Sequence, residues 1–276
     1  MNEHIDSFQN RDGQRIHTIR WLPDDKPKAI ILLVHGIAEH SGRYRHVAER
    51  LIQNGYAIYA LDHRGHGQSA GVRAHFESMD QPVADLEQYY QQVKTANPDA
   101  KIFVYGHSMG SLISLLFVLK YQSELAGWIC TGSTLHIDKL APAPLLAFGK
   151  LARHIVPKFH LLPLDAQGIS RDPEVVVAYN NDPLVERKPT RINIAVSLTI
   201  ASQQARERLA ELTLPILILH GGVDSITPPS GSSYLYEHAG SADKTLKIYE
   251  GLFHEIHNEP EKEQVFDDIA EWLDKR

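Results

Sequence analysis

The chain predicts an α/β fold: a mainly parallel sheet with helices on both faces and a helical cap inserted late in the order. Three observations carry that expectation. Short continuous apolar runs recur, and several of them stop at turns rich in glycine and histidine. Stretches with helical spacing of apolar residues alternate with those runs, as a sheet covered by helices requires. Between residues 137 and 206 the alternation lapses, and proline punctuates the chain at 142, 144, 157, 163, 173, 183 and 189.

Taken in order, Glu3 to Leu22 reads as two strands around an Arg11-Asp12-Gly13 turn. Ala29 to Val34 is a continuous apolar run suited to a strand buried on both faces, and His35-Gly36 ends it. A helix follows from Tyr44 to Asn54, with Gly55 as its stop signal. Tyr56 to Leu61 is the next strand and closes in Asp62-His63-Arg64-Gly65-His66-Gly67. Gln81 to Thr95 forms a helix with Val83, Leu86, Tyr90 and Val93 on one stripe. After the region from Lys101 to Tyr121, a strand over Leu125 to Cys130 completes the first part of the core. Strand patterning resumes at Pro215 to Leu219 and at Leu246 to Tyr249. A final amphipathic helix begins near Pro260 and turns Val265, Ile269, Trp272 and Leu273 inward. The expected organisation is a core over 1–136 and 207–276, with the cap over 137–206.

The stretch from Lys101 to Tyr121 organises the rest. Ile102 to Tyr105 is apolar, Gly106-His107-Ser108-Met109-Gly110 interrupts it, and a helix-period pattern follows. This is the G-x-S-x-G elbow, in which a serine sits on a sharp turn between strand and helix. Glycines at both ends let the two elements crowd together there. Serine needs a base to become a nucleophile, and the base needs an acid to orient it. On this architecture the acid and the histidine follow the serine in that order. Asp224 comes just after the 215–219 run and His254 just after the 246–249 run, so both are expected at the carboxyl ends of strands, beside Ser108. Asp224 could instead cap a turn, as Asp after Gly often does. Asp243 precedes its strand and is the poorer acid. His63 and His66 lie in a Gly-rich turn and read as structural, and His107 is expected to point away from the elbow. Two backbone N–H donors are needed for the oxyanion. Met109, after the nucleophile, and Ile37, in the His35-Gly36-Ile37-Ala38 loop, are the candidates.

Composition narrows the function classes. The chain of 276 residues is 43% hydrophobic and 22% charged, with a net charge of −6, which is ordinary for a soluble globular protein. Basic residues are scattered, so nucleic acid is not an expected partner. The one cysteine, Cys130, lies in an apolar run and reads as a buried small hydrophobe. No phosphate loop, dinucleotide fingerprint or metal-ligand spacing occurs, so neither cofactor nor metal is expected. No signal-peptide pattern opens the chain, and no apolar run approaches the roughly eighteen residues that span a bilayer. A cytoplasmic protein is the expectation.

Five blocks together resemble a known family. They are HGIAEHSGRY (35–44), DHRGHGQS (62–69), GHSMG (106–110), SRDPEVVVAYNNDPLV (170–185) and KTLKIYEGLFHEIHNEPE (244–261). The chain is similar to the monoacylglycerol lipase and lysophospholipase group of alpha/beta hydrolases along nearly its whole length. That resemblance implies a cofactor-free serine hydrolase of monoacylglycerols and related small esters. Carried over by motif, Ser108, Asp224 and His254 match the triad, and Ile37 and Met109 match the oxyanion donors. Glu39, Arg43 and His257 match residues beside the glycerol head group, although Glu39 and Arg43 could equally form a structural ion pair. Ser111 stands where many members carry a third glycine. The rival readings are a lysophospholipase, a general carboxylesterase or acyltransferase, and a catalytically silent ligand-binding fold. Within the cap, Leu145, Phe148, Leu151, Ala152 and Ile155 share one helical face of residues 144–156. That face could rest peripherally on a membrane, or pack on the core or a second subunit, so monomer and homodimer both stay open.

Overall fold

The computed structural model describes residues 1–140 and 165–276, apart from the side chains of 139 and 140. The proposed membrane-facing helix over 144–156 lies outside the described residues. Eight strands form one sheet: β1 (Asn2–Gln9), β2 (Arg15–Leu22), β3 (Ala29–Val34), β4 (Tyr56–Leu61), β5 (Ile102–His107), β6 (Gly127–Thr131), β7 (Ile216–Gly221) and β8 (Lys244–Tyr249). Their order is β1-β2-β4-β3-β5-β6-β7-β8. β1 and β2 pair antiparallel, β2 joins β4 antiparallel, and every pairing from β4 to β8 is parallel. The structure is an alpha/beta hydrolase fold.

The alternation of side chains along a strand divides the core into two layers. Ile30, Leu32 and Val34 of β3 face one layer, where α2 (Asp80–Ala96) and α3 (Met109–Tyr121) contribute Leu86, Tyr90, Leu112 and Phe117. Ile31 and Leu33 face the other, built from Val47 and Leu51 of α1 (Arg45–Gln53) and from Val265, Ile269 and Trp272 of the last helix. Strands covered on both faces have to be apolar throughout. β3, β4, β5, β6 and β7 are each buried along their whole length.

The connection between β6 and β7, which are neighbours in the sheet, runs over residues 132–215, and Ile194, Leu198, Ala201 and Ala205 within it join the same core layer as α3. Two helices are described in this connection, α4 (Pro173–Asn181) and α5 (Ile192–Arg206). Asp172 caps α4, its side chain accepting from Glu174 N–H, and Pro173 takes the first helical position. One helix was not legible from spacing: α6 (Ser230–His238), between β7 and β8. Its sequence, SGSSYLYEH, has no sustained apolar stripe. Two neighbouring parallel strands nevertheless require a crossover connection, usually helical. The last helix, α7 (Lys262–Asp274), buries the four side chains expected to point inward.

Smaller departures have local causes. α1 starts at Arg45, because Ser41–Tyr44 forms a separate tight turn that His40 caps through its ring nitrogen. β7 begins at Ile216 rather than Pro215: proline has no N–H for the ladder, though its carbonyl accepts from Trp128 N–H.

Candidate active site

Because β3, β5, β7 and β8 run parallel, their carboxyl ends meet at one edge of the sheet. Ser108 follows β5 with φ 53° and ψ −123°, a left-handed conformation that a side chain rarely adopts. Such strain costs on the order of 1–3 kcal/mol and persists where the surroundings enforce it. Ser108 N–H donates to Thr131 O at 3.0 Å. A Cβ on Gly110 would lie 2.0 Å from Val34 O, and one on Gly106 would lie 2.1 Å from Ser114 Oγ. The turn therefore closes only with glycine at both positions.

Asp224 follows β7 in a turn that it also caps. Its Oδ1 accepts from the N–H groups of Ile226 and Thr227 at 2.8 and 2.9 Å. Oδ2 lies 2.6 Å from His254 Nδ1 and 3.0 Å from His220 Nε2, and accepts from Thr227 Oγ1 at 2.9 Å. The capping role and the histidine pairing are thus both present in one carboxylate. Burial alone would raise its pKa. The facing His254 and His220 outweigh burial and hold Asp224 far below the usual carboxylate range. Its oxygens can only accept, so His254 carries its proton on Nδ1 and turns Nε2 away from the acid. Burial pulls the pKa of His254 down, but the charge and hydrogen bond of Asp224 prevail and leave it above the ordinary imidazole value.

Ser108 and His254 line one cleft, together with His107, Glu39 and Glu255. Ile37, Ile169, Tyr179 and Ile226 supply its apolar wall. His107 therefore does face the site, contrary to the expectation that it points elsewhere. Its Nδ1 lies 3.0 Å from Thr131 Oγ1, and its ring centroid is 4.7 Å from that of His254. The loop after β3 brings Gly36 beside Ser108, since a Cβ there would lie 3.2 Å from Ser108 Cβ. Met109 opens α3, so its N–H belongs to the first turn, which has no partner within the helix.

Glu39 and Arg43 form the ion pair that the sequence left open, and a third residue joins them. Arg43 donates to Glu39 at 2.8 Å and, with both arms of its fork, to Glu255 at 2.7 Å. Its guanidinium also lies over the Tyr179 ring. His257 does not line the cleft. It is buried behind His107, stacked on Tyr44 with ring centroids 4.8 Å apart, and neither ring nitrogen finds a partner among the described residues. His63 and His66 are buried beside His35, where His63 N–H donates to His35 Nε2 at 3.0 Å, in keeping with structural roles. Sequence reasoning missed Glu255, Tyr179 and the two isoleucines of the far wall. Glu255 and Ile226 each had one visible signal, a place directly after the candidate base and just beyond the candidate acid, whereas Ile169 and Tyr179 depend on how the segment between β6 and β7 folds back.

The family described as Serine aminopeptidase, S33 (Hydrolase_4) matches residues 25–261. This chain belongs to that family. It is 38% identical to the monoacylglycerol lipase of Mycolicibacterium smegmatis over 97% of this chain and 95% of that protein. With the human monoglyceride lipase it shares 35% identity over 97% of this chain and 89% of that one. The crystal structure of the monoacylglycerol lipase from Paleococcus ferrophilus superimposes with a TM-score of 0.80 at 29% identity, covering 99% of this chain and 98% of that one. A soluble variant of the Saccharomyces cerevisiae monoglyceride lipase, solved with a substrate analogue, gives 0.87 at 24% identity over 100% and 95% of the two chains. It bears on the fold alone.

Proposed function

We propose that this protein hydrolyses monoacylglycerols to fatty acid and glycerol through an acyl-enzyme on Ser108. One observation carries the mechanism: the strained Ser108 shares a cleft with His254, whose far nitrogen Asp224 holds at 2.6 Å. Ser108 Oγ attacks the ester carbonyl while His254 Nε2 takes its proton. The N–H groups of Ile37 and Met109 stabilise the resulting oxyanion. His254 then returns the proton to the leaving glycerol oxygen, and water cleaves the acyl-enzyme by the same route. Asp224 keeps the imidazole in the required tautomer and stabilises the imidazolium.

The relatives' names support a monoacylglycerol substrate, and the cleft favours a neutral head group over a phosphate. Two carboxylates, Glu39 and Glu255, line it, with no lysine or arginine among the described lining residues. Carboxylates accept hydrogen bonds from polyol hydroxyls and repel a phosphodiester. In this reading Glu39 meets the glycerol directly, Arg43 acts by holding Glu39, and His257 backs the wall without touching substrate. Residues 137–206 act as the cap. Among the described residues no helix is long and apolar enough to cross a membrane. Substrate delivery from a bilayer belongs to the same proposal, with weaker liposome sedimentation of Leu145→Ser/Leu151→Ser as its check.

The test is Ser108→Ala with a substrate panel. The variant should fold normally, lose labelling by a fluorophosphonate, and lose ester turnover by roughly four to six orders of magnitude. Wild type should cleave monoacylglycerols well ahead of lysophospholipids and triacylglycerols. Undiminished turnover and labelling in the alanine variant would overturn the assignment of Ser108, and a wild type that cleaves none of the esters would return the protein to a ligand-binding role.

A further inference from the structure

The bond-making and proton-transfer steps proposed above give no part to Glu255. Glu255 directly follows His254 and is 3% exposed. Its oxygens take both arms of the Arg43 fork at 2.7 Å, and Oε2 also accepts from Asn258 Nδ2 at 2.7 Å. Arg43 Nη1 continues to Glu39 Oε2 at 2.8 Å. The other oxygen of Glu39 accepts from Gly36 N–H at 2.6 Å and from the Tyr44 hydroxyl at 2.7 Å. Gly36 is joined by one peptide bond to Ile37, the proposed oxyanion donor. An unbroken series of charge-assisted hydrogen bonds thus runs from the residue after the base to the residue before the donor.

The fold alone does not require this series. Burying two carboxylates and a guanidinium costs desolvation, and well-packed apolar side chains often stabilise a core as much or more. Directional bonds to a charged fork supply what apolar packing does not, a fixed aim for the groups at each end. The geometry asks for such aim here. Base and oxyanion donor must face the same reacting carbon, yet they sit on loops after β8 and β3, which lie far apart in the sheet order.

We propose that Glu255 is a positioning residue that, through Arg43 and Glu39, holds the Gly36–Ile37 backbone in register with the His254 imidazole. This rests on the assignment of Ser108, His254 and Ile37 made above. Glu255 also contributes negative charge near the base. The groups that face His254 are Asp224, Glu255 and Glu39, which favour its protonated form, and His107, packed against its ring. Removing the charge at 255 therefore shifts the protonation of His254 as well as the aim of the donor.

The test is Glu255→Gln, which keeps the shape and loses the charge, with Arg43→Lys as a second variant that cannot span both carboxylates. Turnover of a short, soluble ester should fall roughly 10- to 100-fold in kcat, less than outright loss of an oxyanion donor, with KM nearly unchanged. Affinity for a trifluoromethyl ketone, which forms the tetrahedral oxyanion on serine, should fall in proportion to kcat/KM. The acid limb of the pH–rate profile should move to lower pH. Glu255→Gln combined with Glu39→Gln should cost less than the two single losses multiplied, because both interrupt one series. Wild-type kcat, ketone affinity and pH profile in folded Glu255→Gln would overturn the proposal. So would a variant that only melts earlier at full activity. If Glu255→Gln does not fold, unaltered kcat and ketone affinity in Arg43→Lys overturn it equally. Failure of the underlying assignment would show separately, as turnover surviving in Ser108→Ala.

Discussion

In the proposed reaction, the pairing of His254 with Asp224 sets both reactivity and pH response. Burial alone would make the imidazole a weak base, but Asp224 at 2.6 Å restores and exceeds its ordinary basicity. Only the neutral form can accept the Ser108 proton, so kcat/KM should rise with pH through a midpoint above 6.5. A pH–rate profile with a short ester checks this, and a midpoint well below 6.5 would refute it. His254→Ala should abolish turnover across the range. The linked stability runs the other way. A raised folded pKa means that the imidazolium–carboxylate contact stabilises fully below about 6.5, the unfolded value, and is lost as pH climbs through the folded value. The catalytically competent form thus forgoes part of the stabilisation that the protonated pair supplies.

Among elements, the meeting of β5, α3 and β3 leaves the least room for change. Gly110 touches the backbone of Val34 and His35, so an added methyl at 2.0 Å from a carbonyl oxygen must displace a strand or a helix. Gly110→Ala is expected to destabilise by about 3 kcal/mol or more. Gly13, in the β1–β2 turn, has φ 73° with nothing within 4 Å of an added Cβ. Gly13→Ala should therefore cost only the backbone strain, about 1–2 kcal/mol. Urea unfolding of the two variants compares them directly, and equal losses would show that the close approach at the elbow is unimportant. The connection between β6 and β7 also reaches this corner. Glu186 N–H donates to Ala38 O at 2.9 Å, and Asp182 Oδ2 lies 2.8 Å from His40 Nε2. Ala38 itself has φ 64°. The loop that carries Ile37 is thereby held from both the sheet and the inserted segment.

For the molecule as a whole, buried histidines set the response to acid. His35, His63, His66, His107 and His257 are all held below the ordinary imidazole value, with burial the largest cause in each. His66 is pushed down to about 4. Such groups stay neutral in the folded chain and take up protons on unfolding, so stability falls as pH drops below about 6.5. For His66 the loss continues down to about 4 and amounts to roughly 3 kcal/mol. Asp224 and Glu255, both held low, add to the loss at more acidic pH, whereas Glu39, held high by burial, opposes it. The melting temperature should fall steeply between pH 6.5 and 4, beginning well above the carboxylate range. A flat profile there, followed by a late drop, would assign acid unfolding to carboxylates alone.

Local chemistry was enough to locate the parts of this protein that obey short-range rules. The apolar runs of β3, β4 and β7 announce strands buried on both faces, because such strands tolerate no alternation. The glycines around Ser108 announce a turn that no side chain could permit, and the residue types after β7 and β8 announce an acid and a base. Tertiary structure alone decided what depends on distant segments. α6 carries no periodic stripe, and it is the parallel pairing of β7 with β8 that demands a crossover. His107 and His257 look alike as histidines near the motifs, yet one lines the cleft and the other is sealed behind it. The Glu39–Arg43–Glu255 network unites residues more than two hundred positions apart. A charged side chain in isolation does not reveal its partner; only the closing of the sheet edge brings both carboxylates to one guanidinium.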